Sequence, residues 1–156
     1  VTYVDVDRRA ARFFTDTEGV AEILADHGID PDAHEITFLT GDYTEPLPLA
    51  DATFDVLVSL YAGFVSEHCT RYLKVGGFLL ANPSHGDTAM ASIDPRYRLH
   101  AVVKSASTRY SVADTDLDSY LIPKRKVAVT AELLHDTGRG VAYTKPAFAY
   151  LFERVK

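Results

Sequence analysis

Apolar and polar positions follow one rhythm up to about residue 83 and another beyond it. Residues 1–6 set Val and Tyr among β-branched neighbours, a strand pattern, with acids at Asp5 and Asp7. Asp7 is placed to cap a helix over 8–14, and Asp16 or Thr17 to open a second helical stretch. The apolar face of that stretch is Val20, Ile23, Leu24 and His27, at helical spacing, and Gly28 ends it. Residues 36–39 read as a short strand followed by Gly41-Asp42-Tyr43. A linker with Pro46 and Pro48 leads to 54–60, whose continuous apolar run predicts a parallel strand covered on both faces. Residues 62–73 predict an amphipathic helix with Phe64, Val65, Cys69, Tyr72 and Leu73 on one side. Residues 74–77, Lys-Val-Gly-Gly, predict a tight turn, and 78–81 a strand stopped by Asn82-Pro83.

The alternation of strand and helix ends there. Residues 86–120 look irregular, with a short helix near 88–93, extended or helical structure over 97–104 and an acidic loop at 114–118. Residues 127–134 alternate and predict a strand, 136–140 a hairpin turn, and 148–155 a final strand, with 141–143 extended as well. Strands joined by a short glycine turn pair antiparallel. The pattern as a whole predicts an α/β chain: a doubly wound Rossmann-like sheet, mostly parallel, with antiparallel strands at its C-terminal end.

Composition narrows the classes. A length of 156 residues predicts a single domain over 1–156, and 47% hydrophobic with 24% charged residues is ordinary for a soluble globular chain. No apolar run approaches a membrane span and no leader pattern opens the chain. The single cysteine, Cys69, excludes an internal disulfide framework and a multi-cysteine zinc site and fits a reducing cytoplasm. Six histidines without metal-ligand spacing give no metal site. A net charge of −6 disfavours nucleic-acid backbones. The basic triplet Lys124-Arg125-Lys126 reads as a solvated strand end rather than a nucleic-acid patch.

Four segments then carry a family resemblance. Tyr3-Val4-Asp5-Val6-Asp7, Phe38-Leu39-Thr40-Gly41-Asp42, the stretch from Pro46 to Leu60 and the stretch from Arg71 to Leu80 stand in an order that resembles class I S-adenosylmethionine-dependent methyltransferases. They match that family's second, third, fourth and fifth strands. The resemblance implies methyl transfer from S-adenosylmethionine to a small-molecule or protein acceptor. It implies that Asp5, or alternatively Asp7, accepts from the ribose hydroxyls, with Val6 beside it. Asp42 is implied to accept from the adenine amino group, with Tyr43 against the base, and Ser59 to lie where cofactor and acceptor meet. Tyr61 and His85 are the candidate acceptor-binding residues, and His85 or His100 the candidate bases. Local roles compete with these: Asp5 and Asp42 as turn acceptors, Asp7 as a helix cap, Asn82-Pro83 as a strand stop, Cys69 as core.

The family's first strand and glycine-rich loop are not visible ahead of Val1. In the family that strand lies between the second and the fourth. The expectation is therefore a domain incomplete at its N-terminus, binding cofactor poorly as residues 1–156 alone, or a homo-oligomer in which another chain supplies the strand. A non-catalytic methyltransferase-like scaffold and a nicotinamide-dependent oxidoreductase are the competing readings.

Overall fold

Acids decide where the first two helices begin. In the computed structural model, which describes residues 1–107 and 109–156, strand β1 (Thr2–Asp5) is followed by helices α1 (Arg8–Thr15) and α2 (Thr17–Asp26). The Asp7 side chain accepts the Arg9 N–H at the start of α1, and Asp16 accepts the Gly19 N–H at the start of α2. Gly28, at φ 71°, turns the chain out of α2. Strand β2 (Thr37–Thr40) then pairs in parallel with β1, Thr2 level with Thr37 and Asp5 level with Thr40. Phe14 stacks on Phe38 at 5.0 Å and tilts against Tyr3 at 4.7 Å, which ties α1 to the two strands. These elements form one compact unit, Val1–Pro48; the second is Leu49–Lys156.

The second unit is built on a five-stranded sheet. Its strands are β3 (Phe54–Ser59), β4 (Leu73–Ala81), β5 (Tyr97–Ala106), β6 (Arg109–Ala113) and β7 (Ala149–Arg154), in the spatial order β3-β4-β7-β5-β6. β3 and β4 run parallel, while β7 lies antiparallel to both β4 and β5, and β5 antiparallel to β6. The C-terminal strands are thus antiparallel; a short connection requires this only of β5 and β6, while β7 reaches β4 and β5 from far along the chain. Parallel pairing is confined, among the described residues, to β1 with β2 and β3 with β4. That is a smaller share than the sequence pattern suggests, because β5 and β6 pair antiparallel within the stretch 86–120, where it predicted no paired strands.

One face of this sheet holds the core. Leu79, Ala81, Val102, Tyr150 and Phe152 are buried there with Leu73, Tyr97, Tyr120 and Tyr143. Short helices α3 (Val65–His68) and α4 (Asp87–Ile93), and α5 (Ala131–Thr137) with its own small cluster of Leu134, Ala89 and Met90, belong to the same unit. The opposite face of β3 is open: Val56 is 52% and Val58 61% exposed. The apolar run at 54–60 is therefore a strand covered on one face, not on both.

Several local expectations are corrected. The helix expected over 62–73 is the single turn α3 followed by a 3-10 turn, Thr70–Tyr72, because Thr70 returns its hydroxyl to the Ser66 carbonyl and competes with helix continuation. Residues 74–77 are not a tight turn between elements but a bulge inside β4. Two steps along β3 match five along β4, and Gly76 takes φ 83°. Of the extended or helical structure expected over 97–104, the extended form is found, as strand β5, and it pairs with β6 at 109–113, where no strand was expected; Thr108 lies outside the described residues. The strand expected at 127–134 is instead extended chain leading to α5, capped by Thr130. The sequence Ala-Glu-Leu-Leu-His alternates over too few residues to separate period 2 from period 3.6. Gly138, at φ 58°, consequently ends a helix rather than turning a hairpin. Lys124-Arg125-Lys126 sits on a bend, not at a strand end.

Candidate functional site

In parallel sheets the carboxyl ends of the strands leave side chains and loop backbone free at one rim. In the first unit that rim carries two acids. Asp5 closes β1 with its carboxylate exposed, and its Oδ1 accepts the Asp7 N–H at 2.9 Å. Asp42 lies two residues beyond Thr40, the register partner of Asp5, and its Oδ1 accepts from both the N–H and the hydroxyl of Thr44 at 2.9 and 2.8 Å. Both acids therefore have local roles and leave adjacent parallel strands at the same end. Asp7 is occupied differently. Its carboxylate caps α1 and pairs with Arg9, whose hydrogen bond holds it below the usual carboxylate range. Val6 is 63% exposed between the two acids, and Tyr43 is half-buried beside Asp42.

The second unit has its own parallel rim, where β3 and β4 end side by side. Asn82 joins them. Its N–H donates to the Ser59 carbonyl at 3.3 Å, and its Oδ1 accepts from the N–H of Tyr61 at 3.1 Å and of Ser84 at 3.4 Å. Two backbone donors on one oxygen fix the amide orientation and leave Nδ2 as a donor aimed elsewhere. Tyr61 is held at φ 61°, a left-handed conformation uncommon for a residue with a Cβ, with its ring 64% exposed. The latch on its N–H is what maintains that conformation.

A cavity of about 400 Å³ opens at this rim. Pro83, Pro146, Phe148 and Tyr61 give it apolar walls, and Asn82 and Lys124 bring polar groups to it. Lys124 is positioned by backbone pairing: its N–H donates to the Ala142 carbonyl, and the Thr144 N–H donates to the Ile122 carbonyl, both at 2.8 Å. Gly140 closes the wall. A Cβ there would lie 1.9 Å from the Pro83 carbonyl oxygen, so only glycine permits this approach. Tyr143 lines the cavity with its hydroxyl buried, and burial pushes its pKa up to about 12.

Beneath the rim lies a sealed polar cluster. Asp87, 1% exposed, accepts the Ser66 N–H at 2.9 Å. The hydroxyls of Ser59 and Ser66 approach the same carboxyl without completing well-aligned bonds. Burial raises the Asp87 pKa above the ordinary carboxylate value, against the opposing pull of the two serines. Cys69, close enough to feel that charge, is pushed up to about 11, chiefly by burial. It is a core thiol, not a nucleophile.

Of the residues singled out from the sequence, Asp5, Val6, Asp42 and Tyr43 share the first unit's rim. Tyr61 lines the cavity in the second. Ser59 ends β3 as expected, but its side chain is 1% exposed and turned to Asp87. His85 sits exposed on the turn before α4 and His100 exposed on β5 against Phe78; neither lines the cavity. From the sequence alone Asn82 reads as a strand stop, Lys124 as part of a solvated basic triplet and Gly140 as part of a hairpin turn, and nothing singles out Asp87. Asn-Pro at a strand end is the only visible signal, and a strand stop explains that equally well. Among the described residues no group of three or more His, Cys, Asp or Glu is arranged to hold a metal, and no helix is long and apolar enough to cross a membrane.

No family model matches the sequence, and no curated protein matches it. Among solved structures, the chain is similar to a provisionally assigned methyltransferase from Bacillus halodurans, at 14% identity and a TM-score of 0.37, over 97% of this chain and 80% of that one.

Proposed function

We propose that this chain is an S-adenosylmethionine-dependent methyl-transfer domain acting on a small-molecule acceptor. The observation that carries the reading is the pair of acids at one parallel rim, Asp5 level with Thr40 and Asp42 two residues further on. The donor set fits a nucleoside. Asp5 Oδ2 has no hydrogen-bond partner among the described residues and is exposed, so it can accept from neighbouring ribose hydroxyls, with Val6 packed alongside. Asp42 would take the adenine amino group and Tyr43 the face of the base.

S-adenosylmethionine, when bound, supplies a methyl carbon that is already electrophilic. The protein's work is then to bind, align and exclude water. The Asn82 latch and the apolar walls of the second unit's cavity suit the binding of a small molecule within that unit. Tyr143 and Cys69 both hold their protons at neutral pH, so neither serves as a base.

The test is calorimetric titration of the gene product with S-adenosylmethionine and, in parallel, NAD. S-adenosylmethionine should bind, and Asp5→Asn and Asp42→Asn should each weaken it about tenfold, the size of one hydrogen bond to a charged group, with unchanged circular dichroism. Binding of NAD alone would move the reading to a nicotinamide-dependent oxidoreductase. Binding of neither would leave the local roles of the two acids as their whole function and favour a scaffold.

A further inference from the structure

We propose that the cavity at the ends of β3 and β4 binds a small aromatic acid, its ring between the proline and aromatic walls and its anionic group held by Lys124 and Asn82. It is a statement about binding within the second unit and stands on the cavity alone. The volume of about 400 Å³ falls in the range of small-molecule sites, and the walls Pro83, Pro146, Phe148 and Tyr61 are flat and apolar. Such walls favour a planar ring over a flexible chain.

The polar groups set the charge. Asn82 spends its oxygen on two backbone N–H groups, so what it offers a ligand is the Nδ2 donor. Lys124 offers an ammonium, and it makes no ion pair among the described residues, whereas Lys145 is taken by Asp116. Among the described residues no carboxylate lines the cavity. A donor and a cation without an acidic counterpart select an anion and reject an amine. Arg125 and Lys126 follow Lys124 directly, a local excess of positive charge in a chain of net charge −6, and steer an anion toward the opening.

The experiment titrates the 156-residue chain calorimetrically with three probes of one size: 4-hydroxybenzoate, 4-hydroxybenzamide and tyramine. The acid should bind about tenfold more tightly than the amide, and tyramine most weakly. Lys124→Ala, a change at an exposed side chain, should bring acid and amide within about twofold of each other. The pair Arg125→Ala and Lys126→Ala should keep the preference and lower only its sensitivity to salt. Equal binding of acid and amide, preference for tyramine, no binding of any probe, or a preference that survives Lys124→Ala would each overturn the proposal. Loss of S-adenosylmethionine binding would sink the methyl-transfer reading while leaving this preference in place.

Discussion

The two compact units solve the same problem unequally. In Leu49–Lys156, side chains such as Leu73, Leu79, Val102 and Tyr150 are fully enclosed, on one face of a five-stranded sheet. In Val1–Pro48 no described residue is buried: the rings around Phe14 pack together, and Val20, Leu24 and Ile36 are only half-buried. A two-stranded sheet with half-exposed rings removes too little apolar surface from water to offset much chain entropy. The first unit places acids at a rim with capped helices and a parallel pair; the second has the enclosed core that holds a cavity in shape.

The comparison can be broken most directly in the cores. Phe152→Ala should cost about 3–5 kcal/mol in urea unfolding, the range for an enclosed aromatic, while Phe14→Ala should cost about 1 kcal/mol. Native-state hydrogen exchange should show β1 and β2 amides exchanging well before those of β4 and β7. Equal costs, or equal protection, would mean the first unit is better enclosed than its exposures indicate.

Glycines sharpen it next. Gly140→Ala forces a Cβ onto the Pro83 carbonyl and should cost about 1–3 kcal/mol, with loss of aromatic-acid binding as the wall moves. Gly28→Ala, at φ 71° with open space around it, meets conformational strain alone and should cost about 1 kcal/mol. Thermal melts of the two variants distinguish a packed contact from a solvated helix end.

The smallest effect is the most specific. Asp87 has a raised folded-state pKa, so below the ordinary carboxylate range both folded and unfolded chains hold the proton. As pH rises from there through the folded value, the unfolded chain releases it first and stability falls. Asp87→Asn keeps an acceptor for the Ser66 N–H and removes that slope. Its melting temperature should match the parent near pH 4 and exceed it by a few degrees near pH 8. Asp7, whose pKa is lowered by Arg9, runs the other way: the stability it contributes is present at neutral pH and is lost as pH falls through its folded value. Asp7 is solvated, so Asp7→Asn should change the melt far less than Asp87→Asn. A parent protein whose melting point rises between pH 4 and 8 as much as the Asn variant's would remove the burial argument.

Local chemistry made much of this legible in advance. Asp7, Asp16 and Gly28 mark helix ends because a carboxylate answers orphan N–H groups and glycine accepts a positive φ, and neither effect needs the rest of the chain. The strand at Phe54–Ser59 and the stop at Asn82 were likewise written in apolar runs and proline. What neighbours along the chain could not decide was which faces would be covered and which distant segments would meet. Val56 and Val58 have the composition of a doubly covered strand and yet lie open. The alternation over 127–134 reads as a strand, yet Ala131–Thr137 is a helix capped by Thr130. Lys124 and Asn82 stand 42 positions apart and meet at one cavity only because the Pro123–Tyr143 bridge carries one of them there, and Gly140 lets two backbones close beside it. Periodicity fixes an element's own conformation; long-range packing alone determines what that element faces.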